Sequence, residues 1–330
     1  MLLSGLIAHA ILAALYIVLN TPTQLIALRF LEGITVSAER PAVAAYVADV
    51  TPEEHRSEAY GGLAVALNAG MLVGPFVGGL IGQYSGFAAA FAVNVVIEVL
   101  AVLLVAGRIH EPVVHESPHA SEESPVSWKD MVSIPLIGAY ASFFATSIAM
   151  AILGSLWSIW VRGLGGSYTY IGATFTVFAL PQILIGARAG RVGDQLGRAP
   201  VLLGAGALVS LMYASYGFVT NLTAIMVLGI VEGIAVVFLQ PVAQGLLADA
   251  SPVRARGRAQ GLAGTVGSVG GAAAAFASLP LYHASRGSPF LIAAAVTIAG
   301  CGIAAYGASV YSRRRRTSTQ VSRSAELEVT

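Results

Sequence analysis

Among the charged side chains inside long apolar runs are Arg29, Glu32, Glu98 and Glu232. A carboxylate in such a place can bind and release a proton, pair with a cation, or accept a hydrogen bond from a neighbouring helix. Arg29 and Glu32 are spaced i, i+3 and share one helix face, which Val36 and Arg40 continue. Two readings are open: a permanent ion pair, or a pair beside a cavity in which Arg29 tunes the proton affinity of the carboxylate. Glu98 follows Asn94 by one turn, with no obvious cation nearby. It either carries a proton or fills an interhelical hydrogen bond. Glu232 either titrates or plays a structural part. Charge at the bilayer centre costs ~2.5–3.5 kcal/mol on insertion scales, so each of these groups needs a partner or a cavity. The chain contains no phosphate-binding loop, no zinc-spaced cluster and no nucleophile–base constellation. His110, His115 and His119, set among Glu, Ser and Pro, form either a loose metal site or a solvated linker.

Glycines form a second class of informative residue. Gly70, Gly74, Gly78 and Gly79 surround Pro75 in one apolar segment. Their four-residue spacing suits close helix packing, and Pro75 removes a backbone donor. The alternatives are generic small-residue packing and a gating role. The stretch from Gly190 through Asp194 and Gly197 to Arg198 joins two apolar runs. Its glycines permit a tight turn, an Asp at a helix N-terminus interacts favourably with the dipole, and Arg198 can bridge neighbouring helix ends.

Lipid must be the solvent of the elements that position these residues. The chain is 56% hydrophobic and 11% charged, with mean hydropathy +0.76, whereas a soluble domain carries about 25% charge. Apolar runs of about 20 residues indicate helices rather than a barrel. Ten spans are expected, at 1–19, 22–48, 61–82, 86–107, 131–161, 168–188, 199–219, 222–248, 260–282 and 289–311. If the connections alternate between sides, fourteen of the 18 Lys and Arg fall on one side and only Arg162 and Arg286 on the other. The positive-inside rule then places both termini in the cytoplasm. The chain also repeats at an offset of 200 residues. Ala48-Asp49 through Arg56 returns as Ala248-Asp249 through Arg256, Glu32-Gly33 as Glu232-Gly233, and Tyr16 as Tyr216. The duplicated Asp49/Arg56 and Asp249/Arg256 suit an inner gate better than substrate selection.

The expected organisation is a four-span bundle over 1–107, a cytoplasmic linker at 108–130, a six-span bundle over 131–311 and a basic tail at 312–330. The spans within 131–188 have no repeat partner. A symmetric first half would therefore lack two helices, roughly 70 residues. Either the true start lies upstream, or the gene is truncated, or the ten-span form is genuine. Trp157 and Trp160 are expected at the outer interface belt, and Phe143 and Phe144 facing either lipid or substrate.

Gly190, Asp194, Gly197 and Arg198 resemble the loop signature G-x-x-x-D-x-x-G-R of the major facilitator superfamily, with Gln195 where Arg is usual. Gly70 to Gly79 resembles the G-x-x-x-G-P-x-x-G-G signature of the family's proton-coupled antiporters. The repeat-related segment has Ala274-Ala275 in place of Gly-Pro. Arg29 to Gly33 resembles R-x-x-Q-G, with Glu32 in the Gln place. The resemblance implies an all-helical, multi-pass plasma-membrane transporter, its two halves rocking about a midplane site. It implies proton-coupled efflux of a drug-like or amphipathic compound by a monomer without a cofactor; the net charge of +1 gives no hint of a nucleic-acid partner, and the lack of a reactive constellation argues against an enzyme. An importer of the same fold, an inactive truncated transporter and a non-transporting sensor are the alternatives.

Overall fold

The computed structural model describes residues 2–52, 55–108 and 131–328; the side chains outside the described set include those of Arg40, Asp49, Arg56, Arg191, Asp194 and residues 314–328. Among the described residues there are ten α-helices and no strand. They are α1 (Leu2–Ile17), α2 (Pro22–Val50), α3 (Arg56–Tyr84), α4 (Phe87–Arg108), α5 (Ile134–Gly163), α6 (Tyr168–Leu196), α7 (Arg198–Tyr216), α8 (Leu222–Ala250), α9 (Arg256–Ala284) and α10 (Ser288–Glu328).

Local chemistry sets the helix starts. Thr21 Oγ1 accepts from the Gln24 amide, and the Gln24 side chain accepts in return from the Thr21 amide; Pro22 opens the helix behind this box. Ser133 and Asn221 cap α5 and α8 in the simpler way. The turn between α6 and α7 is a single residue, Gly197, at φ +86°, where a side chain would be strained.

Eight helices are long and apolar enough to cross a bilayer. Of the other two, α1 has only 16 residues, ~24 Å at the usual rise, and α2 has 29 residues but carries Arg29, Glu32, Glu39 and Arg40. The C-terminal helix runs past the expected stop at Tyr311 to Glu328. That stretch contains neither Gly nor Pro to end it.

The chain forms two compact units. The first comprises Met1–Glu122 together with Ser167–Ala173, and the second Glu123–Gly166 with Thr174–Thr330. In the first, α1 packs against α2 and α4, and α3 against α4. In the second, α5 packs against both α9 and α10, and α7 against α8 and α10. The repeat mates thus make the same pairs: α1 with α2 and α4, α7 with α8 and α10. The second unit has α5 in addition. Accordingly 22% and 50% of the apolar windows of α9 and α10 are buried, against 6% and 0% for α3 and α4.

The second unit's core holds an aromatic group not expected from the sequence. Trp157 and Trp160 are buried rather than at an outer belt. They pack with Tyr216 and Phe290, and Trp157 Nε1 donates to Thr174 Oγ1 at 2.8 Å. Both indoles meet Tyr216 at the end of α7, and Trp160 also meets Phe290 of α10, so neighbouring helices cover them before lipid headgroups can.

Candidate functional site

The two acidic repeat mates occupy equivalent hydrogen bonds. Tyr16 on α1 donates to Glu32 Oε2 on α2 at 2.6 Å, and Tyr216 on α7 donates to Glu232 Oε2 on α8 at 2.7 Å. Each bond fastens a helix pair at the same sequence separation, a skeleton that both halves share.

The surroundings of the two bonds differ. Glu232 is 4% exposed and also takes a hydrogen bond from Tyr213, which stands where the first half has Ala13. Positions 209, 229 and 298 of the second half hold Val, Gly and Ile. At the corresponding positions the first half has His9, Arg29 and Glu98. Arg29 Nη1 donates to Glu32 Oε2 at 2.9 Å, and its guanidinium lies over the Tyr16 ring, 5.1 Å from the centroid. The i, i+3 pair therefore forms, with Arg29 largely exposed. His9 Nε2 lies 3.7 Å from Glu32 Oε1, and its Nδ1 lies 3.6 Å from Glu98 Oε1.

Three helices thus bring two carboxylates, one imidazole, one guanidinium and one phenol together. Glu98 is not isolated from possible cations, as its sequence context implied, because α1 delivers His9 to it. Sequence reasoning overlooked His9. The available signals were a polar residue in an apolar helix, two turns before Tyr16 on the same face, with Val209 as its mate. Such a group can exchange protons with a cavity while its charges stay paired.

The second unit contains a separate pocket of about 220 Å³ between α5 and α8, lined by Phe143, Met150 and Leu239 with Ser142, Thr146, Ser147, Gln240 and Gln244. No ionisable side chain lines it. Gln260 Nε2 donates to Gln244 Oε1 at 3.2 Å, which orients that amide. Of the two phenylalanines on α5, Phe143 lines this pocket, while the Phe144 ring fills the space beside Gly270.

The glycine motifs divide. A Cβ on Gly70, Gly74 or Gly78 would meet nothing within 4 Å. Close approach falls instead at Gly79, against the Tyr168 carbonyl, and at Gly172, against the Pro75 carbonyl. In the 190–198 stretch, Gly193 packs against Val242, and Arg198 Nη2 meets Asp249 Oδ2 at 2.7 Å, tying the start of α7 to the end of α8. The Arg198 Nη1 atom is buried without a hydrogen-bond partner among the described residues. The Gly190 surroundings and the side chains of Asp194, Asp49 and Arg56 fall outside the described residues, as do the three linker histidines. Arg256 follows the 3₁₀ turn Val253–Ala255 as the first residue of α9.

Comparison with known proteins agrees with this architecture. No curated protein gives a significant sequence match. Among solved structures, a crystal structure of a POT peptide transporter matches with TM-score 0.67 at 14% identity, over 94% of this chain and 78% of that one. A POT family transporter in complex with 5-aminolevulinic acid matches with TM-score 0.67 at 12% identity, over 93% and 81%. Another, in complex with a thioalcohol-conjugated peptide, matches with TM-score 0.64 at 11% identity, over 91% and 79%. At these identities the likeness is one of fold. The Major Facilitator Superfamily profile matches over residues 1–161 and again over 139–328, so essentially the whole chain is covered, and it belongs to the major facilitator superfamily of membrane transporters.

Proposed function

We propose that this transporter expels a small drug-like or amphipathic molecule in exchange for protons, by alternating access. The observation that carries the reading is the meeting of Glu32 and Glu98 at His9, a polar group that the second half replaces with apolar residues. A carboxylate pair of this kind can couple protonation to conformation, because desolvation penalises only the charged forms. Glu232, enclosed and held by two tyrosines, serves as the fastening of α7 to α8.

The uncharged pocket between α5 and α8 suits the neutral, partly apolar portion of a substrate, with Gln240 and Gln244 as adaptable hydrogen-bonding groups. The likeness of the Gly74-Pro75 segment to proton-coupled exporters supports the outward direction. A potential of 100 mV supplies about 2.3 kcal/mol per proton, enough for a roughly 40-fold solute gradient. The little-buried α3 and α4 support a first half completed by two helices equivalent to α5 and α6. The excess of Lys and Arg on one set of loops supports cytoplasmic termini in a plasma membrane.

The test is accumulation of ethidium in inside-out vesicles with an acidic interior. The full-length protein accumulates the dye, and E32Q and E98Q each lower the rate at least tenfold. Unchanged accumulation in both variants refutes proton coupling through this cluster. Movement of dye with the gradient reversed would mark an importer.

A further inference from the structure

We infer that His9 relays the proton between Glu98 on α4 and Glu32 on α2, so that α1 is the moving link of the coupling machinery. The inference rests on the proton-coupled reading above and adds the group and the path. The oxygens of Glu32 are divided: Oε2 takes both Tyr16 and Arg29, while Oε1 faces His9 Nε2. The other ring nitrogen, Nδ1, faces Glu98. A single imidazole thus addresses two carboxylates with its two different nitrogens, the arrangement a proton shuttle requires.

Comparison of the two halves argues against a merely structural role. The Tyr216–Glu232 bond joins α7 to α8 in a half whose repeat-related positions hold Val209, Gly229 and Ile298. His9, Arg29 and Glu98 are therefore not needed to hold such a helix pair together. The elements packed against α1 are α2 and α4. Among the described residues, Glu32, with Arg29 behind it, and Glu98 face the imidazole from them, and Tyr16 joins the cluster from α1 itself.

The step balances. The Glu98 carboxylic acid gives its proton to Nδ1, and the Nε2–H gives its proton to the Glu32 carboxylate. Glu98 ends ionised, Glu32 ends protonated, and the ring stays neutral in its other tautomer. The ring is reset when water returns a proton to Nε2 and takes one from Nδ1, which restores the first tautomer. At 3.6 and 3.7 Å the ring lies slightly beyond hydrogen-bond contact with both oxygens. Transfer therefore needs a small side-chain adjustment or one bridging water, which makes it sensitive to the position of α1.

The experiment uses the full chain in detergent, with ¹⁵N-labelled histidine; the His9 ring signals are identified by their loss in H9Q. E98Q is expected to perturb the Nδ1 signal and E32Q the Nε2 signal. If either substitution leaves the His9 signals in place, the bridge does not exist and the relay is overturned. In the vesicle assay with ethidium, H9Q is expected to lower gradient-driven accumulation at least tenfold, and dye exchange at equal pH by a smaller factor. Equal loss in both modes marks a structural role and overturns the relay. If accumulation falls in E32Q and E98Q but not in H9Q, the relay fails while proton coupling stands. If all three variants accumulate dye as before, it is the underlying reading that fails.

Discussion

The same hydroxyl can be removed from repeat-related positions, Tyr216→Phe and Tyr16→Phe, and the consequences should differ. Both substitutions keep the ring, and so retain the packing of Tyr216 against Trp157 and of Tyr16 against Phe91. Only the hydrogen bond to the carboxylate is lost. Glu232 is 4% exposed and is left with Tyr213 as its remaining hydrogen-bond donor from α7. The Glu32 side chain is 24% exposed and keeps Arg29 at 2.9 Å on the same oxygen. Leaving a buried polar group short of a partner costs about 1–3 kcal/mol in soluble proteins. In membrane proteins the measured coupling averages about 0.6 and reaches about 1.7 kcal/mol, because the membrane-embedded unfolded state finds partners too. Together these place Y216F at about 1–2 kcal/mol and Y16F at about 0.5 kcal/mol or less. Equilibrium unfolding of the full chain in mixed micelles with increasing dodecyl sulfate measures both. If Y16F costs as much as Y216F, then neither burial nor the number of remaining partners decides the value of this bond, and the distinction drawn between a fastening glutamate and a coupling glutamate fails.

Four further outcomes are expected. A Cβ on Gly300 would collide with Ala145 Cβ and lie 2.8 Å from the Ala141 carbonyl, so G300A should destabilise by about 1–3 kcal/mol in the same unfolding assay, with A145G recovering part of the loss. G74A should be neutral or slightly stabilising, since nothing lies within 4 Å of its Cβ and Ala favours a helix over Gly by about 0.5–1 kcal/mol; a loss of ethidium efflux without loss of stability would then place Gly74 in gating rather than packing. Asp249→Asn should slow transport and lower stability by about 1 kcal/mol or less, because the Arg198 pair is only partly buried; the charge-exchanged pair R198D/D249R should recover activity if the contact itself matters. Single cysteines placed at positions 56 and 256 should react with impermeant reagents from the same face of the membrane; labelling from opposite faces would contradict the orientation drawn from the arginine distribution.

The extent to which the sequence could be read varies from residue to residue. The turn at Gly197 was legible because it depends on neighbours in the chain, whereas the last helix runs past its expected stop at Tyr311. The Arg29–Glu32 pair was legible for the same reason, being i, i+3 on one helix. The tryptophans of α5 were placed wrongly, since an indole near the end of an apolar run fits either an interface belt or a covered helix face, and only the presence of α7 and α10 selects the latter. The Gly70–Gly78 ladder, expected in close helix contact, has no close neighbour. Glycine spacing records that a neighbour can approach, not that one does.

Composition, hydropathy and the 200-residue repeat already required a helical membrane bundle of two related parts, because the bilayer cannot hydrogen-bond an open backbone and a duplicated pattern has to fold twice. They also singled out Glu32, Glu98 and Glu232 as groups in need of partners. Tertiary structure alone determined which partners they acquired. His9 reaches Glu32 and Glu98 across 23 and 89 residues of chain, and no local rule governs such separations. Helix packing brought three polar groups to one point in the first half and enclosed a single carboxylate among tyrosines in the second. The physical reason is that a helix dictates its own periodicity, but the neighbour its face meets is chosen by the packing of the whole bundle.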